Sequence, residues 1–100
     1  MVLVDEKLLF YFATRHADMA APIARWSKVL RGVDCSSFNE LRRIFPSADY
    51  VRPYTIFNVA GNNARIVTLI DFESRTVVIR QVLMHAEYDK WSRRHRRGQA

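Results

Sequence analysis

One hundred residues with 16 Lys+Arg against 10 Asp+Glu carry a net charge of +6, which favours partners that bear phosphate. With 49% hydrophobic residues, 12% aromatic residues, three glycines and three prolines, the chain has material for one core and too little length for two, so one domain over residues 1–100 is expected and intrinsic disorder is excluded as its main description. Charges interrupt every apolar run short of the ~20 residues of a membrane-spanning helix, the acidic start is unlike a secretory signal, and the lone Cys35 allows neither an internal disulfide nor a cysteine zinc site; no membrane and a reducing cytoplasm are the expected setting.

In chain order, Met1 to Val4 is β-prone and short. Asp5 then offers an N-cap for a helix through Lys7 to Ala13 that ends around His16 to Asp18. Ile23, Trp26 and Leu30 recur at i, i+3, i+7 in a second helix, with Pro22 in its first turn and Gly32 as its stop. The two predict a helical hairpin. Ser37-Phe-Asn-Glu40 is a capping box for a third, short helix that Pro46 terminates. After Pro46-Ser47-Ala48-Asp49 the apolar period changes to two, in the runs Tyr50 to Ala60, Ala64 to Phe72 and Thr76 to Met84. Pro53 divides the first run or puts its start on an edge. Turns at Gly61-Asn62 and Ser74-Arg75 make the runs an antiparallel meander, and a short helix from Ala86 to about Arg94 closes the chain. The fold class is α+β, with the N-terminal hairpin and short helix on one face of the sheet.

Charge is uneven along this frame. Residues 1–50 hold 7 basic and 6 acidic side chains and residues 51–100 hold 9 and 4, an excess of +1 and then +5. Thirteen of the sixteen cations are arginine, whose planar fork of donors matches phosphate oxygens and stacks on bases. The densest run is Arg93-Arg94-His95-Arg96-Arg97. Residues 93–100 read equally as a flexible basic tail and as a functional contact.

The turns set a register. A two-residue turn at Gly61-Asn62 puts Asn58 opposite Arg65, Ile56 opposite Val67 and Tyr54 opposite Leu69. A two-residue turn at Ser74-Arg75 pairs Glu73 with Thr76, Arg80 with Leu69 and Met84 with Arg65. Tyr54, Asn58, Arg65 and Arg80 then share one face, a cationic platform suited to a nucleic-acid backbone. Phe57, Val59, Ile66, Ile70, Val77 and Ile79 share the other, which must meet the helices. His85 and Tyr88 follow at i, i+3 beside the platform. Histidine moves protons near neutral pH, and a tyrosine among cations can help or hold a base; the bland alternative is a capping His85 and a packed Tyr88 ring. The histidines at 16, 85 and 95 are scattered, and there is no glycine-rich phosphate loop or paired-carboxylate motif, so no metal site or nucleotide-hydrolysis site is expected. Trp26 and Trp91 read as core rather than base-stacking rings, and Met19 and Met84 as space-filling.

From about Leu41 to Trp91 the chain resembles the HigB-type mRNA interferase toxins, small members of the RelE-like superfamily of type II toxin-antitoxin systems. The likeness rests on runs in order: Phe45-Pro46-Ser47-Ala48-Asp49, Phe57-Asn58-Val59-Ala60-Gly61-Asn62-Asn63-Ala64-Arg65, Phe72-Glu73-Ser74, Ile79-Arg80-Gln81-Val82 and Met84-His85-Ala86-Glu87-Tyr88-Asp89. The resemblance implies a RelE-like α+β fold and cleavage of messenger RNA in the ribosomal A site without metal or cofactor. The RNA's own 2′-hydroxyl would attack the adjacent phosphate. Carried onto matching positions, Arg65 and Arg80 would hold the scissile phosphate, His85 would be the leading acid or base, and Tyr88 would assist or stack. Asn58 and Asn62 are secondary candidates there; from the platform and the basic run, Tyr54, Arg93 and Arg94 join them as expected RNA contacts. A helix-turn-helix antitoxin of the HigA type would neutralise the toxin, and DNA would be met only through that complex. The competing reading is a non-catalytic basic module that binds RNA or a partner with the same fold. A DNA-binding repressor is disfavoured, because the helical hairpin is apolar.

Overall fold

The computed structural model describes residues 1–97; of the basic tail expected at 93–100, residues 98–100 lie outside the described residues. Strand β1 (Val2–Val4) leads to α1 (Lys7–Arg15), a 3₁₀ turn at Ala17–Met19, α2 (Ala20–Gly32) and α3 (Phe38–Ile44). Asp5 does not cap α1. It sits at φ 64°, its carbonyl receives the Leu8 N–H at 3.2 Å, and Glu6 occupies the N-cap position. Leu9 and Phe12 of α1 and Ile23, Trp26 and Leu30 of α2 point inward, which joins the pair as a hairpin. Ser37 caps α3 by accepting the Glu40 N–H at 3.2 Å. The reciprocal half of the box lands one residue early, with the Glu40 carboxylate taking the Ser36 N–H and hydroxyl, each at 2.8 Å.

Strands β2 (Asp49–Val51), β3 (Tyr54–Val59), β4 (Ala64–Asp71) and β5 (Thr76–Met84) complete a sheet in the order β1-β5-β4-β3-β2. Pro53 separates β2, an edge strand, from β3. The meander is antiparallel as expected, whereas β1 adds a parallel edge on β5 and makes the sheet mixed. Between β1 and its parallel partner β5 the chain runs through α1–α3 and then β2–β4, ample length for a parallel pairing.

The first hairpin holds the expected register, with Asn58 opposite Arg65 and Ile56 opposite Val67. Its left-handed residues are Ala60 (φ 53°) and Gly61 (φ 70°) rather than Gly61 and Asn62. The second hairpin departs from the two-residue turn. Asp71, not Glu73, pairs with Thr76, because the Asp71 carboxylate takes the Glu73 and Ser74 N–H groups at 3.0 and 3.4 Å and opens a longer loop over residues 72–75. Leu69 therefore faces Val78 instead of Arg80. A β-bulge follows: Thr68 pairs with Ile79 and Val67 with Gln81, leaving Arg80 as the extra residue. Beyond it Met84 faces Ala64, and Arg65 faces Leu83.

The two faces meet different helices. Phe57, Val59, Ile66, Val77 and Ile79, with half-buried Ile70, pack against α1–α3 in the main core beside Trp26 and Met19, while Met84 is half-buried. The opposite face is not the open platform expected from alternation. Helix α4 (His85–Arg97) covers part of it, running through Arg97 rather than ending near Arg94, so the Arg93–Arg97 run begins as its last turns. Val51, Ile56 and Val67 of the sheet bury Tyr88 and Trp91 in a second core, flanked by Tyr54 and Leu83. Apolar Ile56 and Val67 between the polar positions supply the surface that this amphipathic helix needs.

Candidate active site

Roofing the sheet with α4 leaves a cleft on each flank of the helix. One, of about 280 Å³, is lined by Asn58, Arg65, Tyr88, Arg96, Arg42 and Asp49 among others. The β3–β4 loop shapes it. Arg65 is 9% exposed, and its Nη1 donates to the Asn62 carbonyl at 2.7 Å and the Ala64 carbonyl at 3.3 Å. Its guanidinium lies 5.1 Å from the centre of the Tyr88 ring, a cation–π contact that holds the fork's plane. Asn58 Nδ2 donates to Asn62 Oδ1 at 3.3 Å across the same loop. On the helix side Arg96 pairs with Asp49 and donates from Nε to Ser92 Oγ at 2.7 Å. The Asp49 carboxylate first, and hydrogen bonding to the Tyr88 hydroxyl after it, outweigh burial and hold the Arg96 pKa above its ordinary value.

The second cleft, of about 190 Å³, is lined by Tyr54, Val67, Arg80, Gln81, Trp91, Arg94 and His95. The bulge creates it, because an extra residue re-aims the strand locally and lets exposed Arg80 and Gln81 both reach the cleft. Its wall is aromatic. The Trp91 and His95 rings stack at 3.9 Å with 20° between planes, and the Tyr54 ring stands edge-on to both, at 5.5 and 5.7 Å.

The expected site residues thus fall into groups. Arg65, Tyr88 and Asn58 meet in the first cleft with Asn62 behind them, and Tyr54, Arg80 and Arg94 meet in the second. Arg65 and Arg80 line different clefts. His85 lines neither: its ring is 58% exposed, its Nε2 lies 3.4 Å from Asp89 Oδ2, and its backbone N–H donates to the Asn63 carbonyl at 3.0 Å. Arg93 is exposed and lines neither cleft. The sequence reading missed Arg96, Asp49 and Arg42 in one cleft and Gln81 and His95 in the other. A signal for His95 exists, since Tyr88, Trp91 and His95 follow the same i, i+3, i+7 spacing that marks α2; the surrounding arginines hide it.

Both clefts offer fixed cations and ring faces to a phosphodiester, which needs charge neutralisation and orientation more than a covalent partner. The remaining large groove, about 320 Å³ between α1 and α2, is mainly apolar, and the Glu6 and Arg31 side chains on it pair with each other. Among the described residues no group of three or more His, Cys, Asp or Glu side chains could hold a metal ion, and no helix is long and apolar enough to cross a membrane.

Residues 19–91 match the family model of HigB toxins, described as the RelE-like toxic component of a toxin-antitoxin system. The chain is 42% identical over 59 residues to the mRNA interferase toxin HigB of Escherichia coli K12, a match covering 56% of this chain and 57% of that protein. An mRNA interferase HigB of Shigella flexneri matches to the same extent. A further mRNA interferase HigB, from Escherichia coli O6:H1, is 30% identical over 87 residues, 84% of each chain. The match thus spans little more than half the length of the first of these relatives and most of the last.

Proposed function

This chain belongs to the HigB family of RelE-like toxins, and from that premise we propose that it is a ribosome-dependent endoribonuclease that cuts messenger RNA in the A site and so stops translation. The observation that carries the reading is the cationic surface astride α4, where Arg65, Arg96, Arg80 and Arg94 line clefts on the sheet face turned away from the main core. An RNA backbone laid across α4 meets an arginine on each flank. The 2′-hydroxyl of one nucleotide attacks the neighbouring phosphorus, and the extra negative charge of the phosphorane is neutralised by arginine. Arg80 is assigned to that charge and Arg65, in the other cleft, to the phosphate backbone beside the cut, and the Tyr88 ring holds Arg65 in place or stacks on a base. Tyr54, Asn58 and Asn62 contact RNA, with Arg93 and Arg94 on the exposed side of the helix. A histidine of α4 moves the proton; the family likeness points to His85, which lies outside both clefts. No step in this scheme needs a metal or cofactor.

The partner proposed for neutralisation is a helix-turn-helix antitoxin of the HigA type, and DNA is met only through that complex. An excess of +6 suits an acidic partner surface as well as ribosomal RNA. The test is induced expression in a bacterium of wild type, Arg65→Ala, Arg80→Ala and His85→Ala, with growth followed and soluble, folded protein verified. Relief of growth arrest by the arginine variants supports the assignment. If all three folded variants arrest growth as fully as wild type, the site is wrongly placed. Ribosome binding that falls steeply with salt, with growth arrest but no cut RNA, turns the reading to a non-catalytic module.

A further inference from the structure

We propose that the cleft between the β5 bulge and the last turns of α4 holds the scissile phosphate, and that His95 is the catalytic residue that accepts the 2′-hydroxyl proton there. This rests on the ribonuclease reading above and adds a residue beyond the family match, which ends at residue 91. His95 Nδ1 lies 2.7 Å from the Trp91 carbonyl oxygen. A carbonyl only accepts, so Nδ1 must carry the proton, and the neutral ring presents its lone pair at Nε2. The carbonyl sets the tautomer, and the stacked Trp91 ring with the Tyr54 edge fixes the ring plane. Nucleophile-activating bases are commonly oriented by a third group in this way. Nε2 has no partner among the described residues, while Arg80 and Arg94 line the same cleft.

His85 stands ten residues earlier on α4, about 15 Å away along the helix axis, with its own Nε2 beside Asp89. The two histidines cannot serve one phosphate. In the reaction, His95 Nε2 takes the 2′-hydroxyl proton as the O2′–P bond forms, Arg80 and Arg94 neutralise the phosphorane, and the P–O5′ bond breaks. The departing O5′ takes a proton from water, and the imidazolium returns its own to the hydroxide so formed. The products are a 2′,3′-cyclic phosphate and a 5′-hydroxyl, with no net proton consumed.

A purely structural His95 would only cap α4 through the Trp91 carbonyl, so the experiment separates the roles. Single-turnover cleavage on mRNA-programmed ribosomes is measured for purified wild type, His95→Asn, His95→Ala and His85→Ala, each with its melting curve and ribosome affinity. Asparagine can still donate to the Trp91 carbonyl but cannot take a proton. The expected result is a loss of about 10²-fold or more in both His95 variants, with ribosome affinity kept, and partial recovery of His95→Ala on adding imidazole, which leaves wild type unchanged. Cleavage by His95→Asn at the wild-type rate, or an alanine defect that imidazole leaves untouched, overturns the proposal for His95 while the ribonuclease reading stands. A wild-type protein that makes no cut overturns both.

Discussion

Replacing Trp91 by alanine tests whether α4 is held by its own small core. Trp91 is 4% exposed, and its ring meets those of Tyr88 at 5.6 Å, Tyr54 at 5.5 Å and His95 at 3.9 Å. Truncating so buried a tryptophan costs about 3–5 kcal/mol. The ion pair that also ties α4 to the sheet is weaker. Arg96 and Asp49 are half-exposed, and such a pair contributes at most about 1 kcal/mol. Tyr88, stacked on Trp91, loses part of its cover as well, so the loss removes most of what docks α4, and the main core, which Trp91 does not join, should survive. A free helix of 13 residues is marginal in water, so undocking reads out as lost protection of α4 amides. Hydrogen exchange of wild type and Trp91→Ala is expected to show α4 near unprotected rates and β4 and β5 still strongly protected. Near-wild-type α4 protection, or β4 and β5 amides exchanging as fast as α4, would refute the two-core argument.

Other substitutions separate stability from activity. Arg80 is exposed on its bulge, so Arg80→Ala should shift unfolding free energy by no more than about 0.5 kcal/mol while reducing cleavage; Arg65→Ala, which strips a donor from the Asn62 and Ala64 carbonyls, should destabilise by about 1–3 kcal/mol in the same denaturant titration. The Ser36 N–H, and then its hydroxyl, hold the Glu40 carboxyl below its ordinary value. A lowered folded pKa contributes stability above the unfolded value and loses it as pH falls through the folded one. Melting curves of wild type and Glu40→Gln should therefore differ near neutrality and converge in acid; a gap that persists in acid contradicts this origin. Burial first, then the Glu40 and Asp34 charges, push the Cys35 thiol up, so iodoacetamide should alkylate native protein far more slowly at pH 8 than urea-unfolded protein, and equal rates would show the thiol to be accessible.

The legible parts of the fold are those where local signals agree. In the β3–β4 hairpin the alternation of Ile56, Asn58, Arg65 and Val67 and the glycine at 61 point to one register, and the ladder has it. In the next hairpin Ser74-Arg75 is a weak turn signal, and the Asp71 carboxylate selects a longer loop. No glycine or turn residue in Val78-Ile79-Arg80-Gln81 marks the bulge at Arg80. Its effect is to put Arg80 in a cleft apart from Arg65. The largest departure is the roof over the platform. Alternation marks Tyr54, Asn58, Arg65 and Arg80 as one face, yet says nothing of what covers Ile56 and Val67 between them. Tyr88 and Trp91 read as core residues of a helix, and both are buried. The arginines after Trp91 suggest fraying, while the ring of His95 and the guanidinium of Arg96 instead make specific contacts in the last turns.

The most direct measurement uses purified protein and mRNA-programmed ribosomes in magnesium buffer, with the chemistry of the RNA ends determined. Cuts at codon-phased positions that leave a 2′,3′-cyclic phosphate and a 5′-hydroxyl are expected, with loss of those cuts in Arg65→Ala and Arg80→Ala. Intact RNA from folded wild-type protein, or products bearing 5′-phosphates, would contradict the proposed reaction.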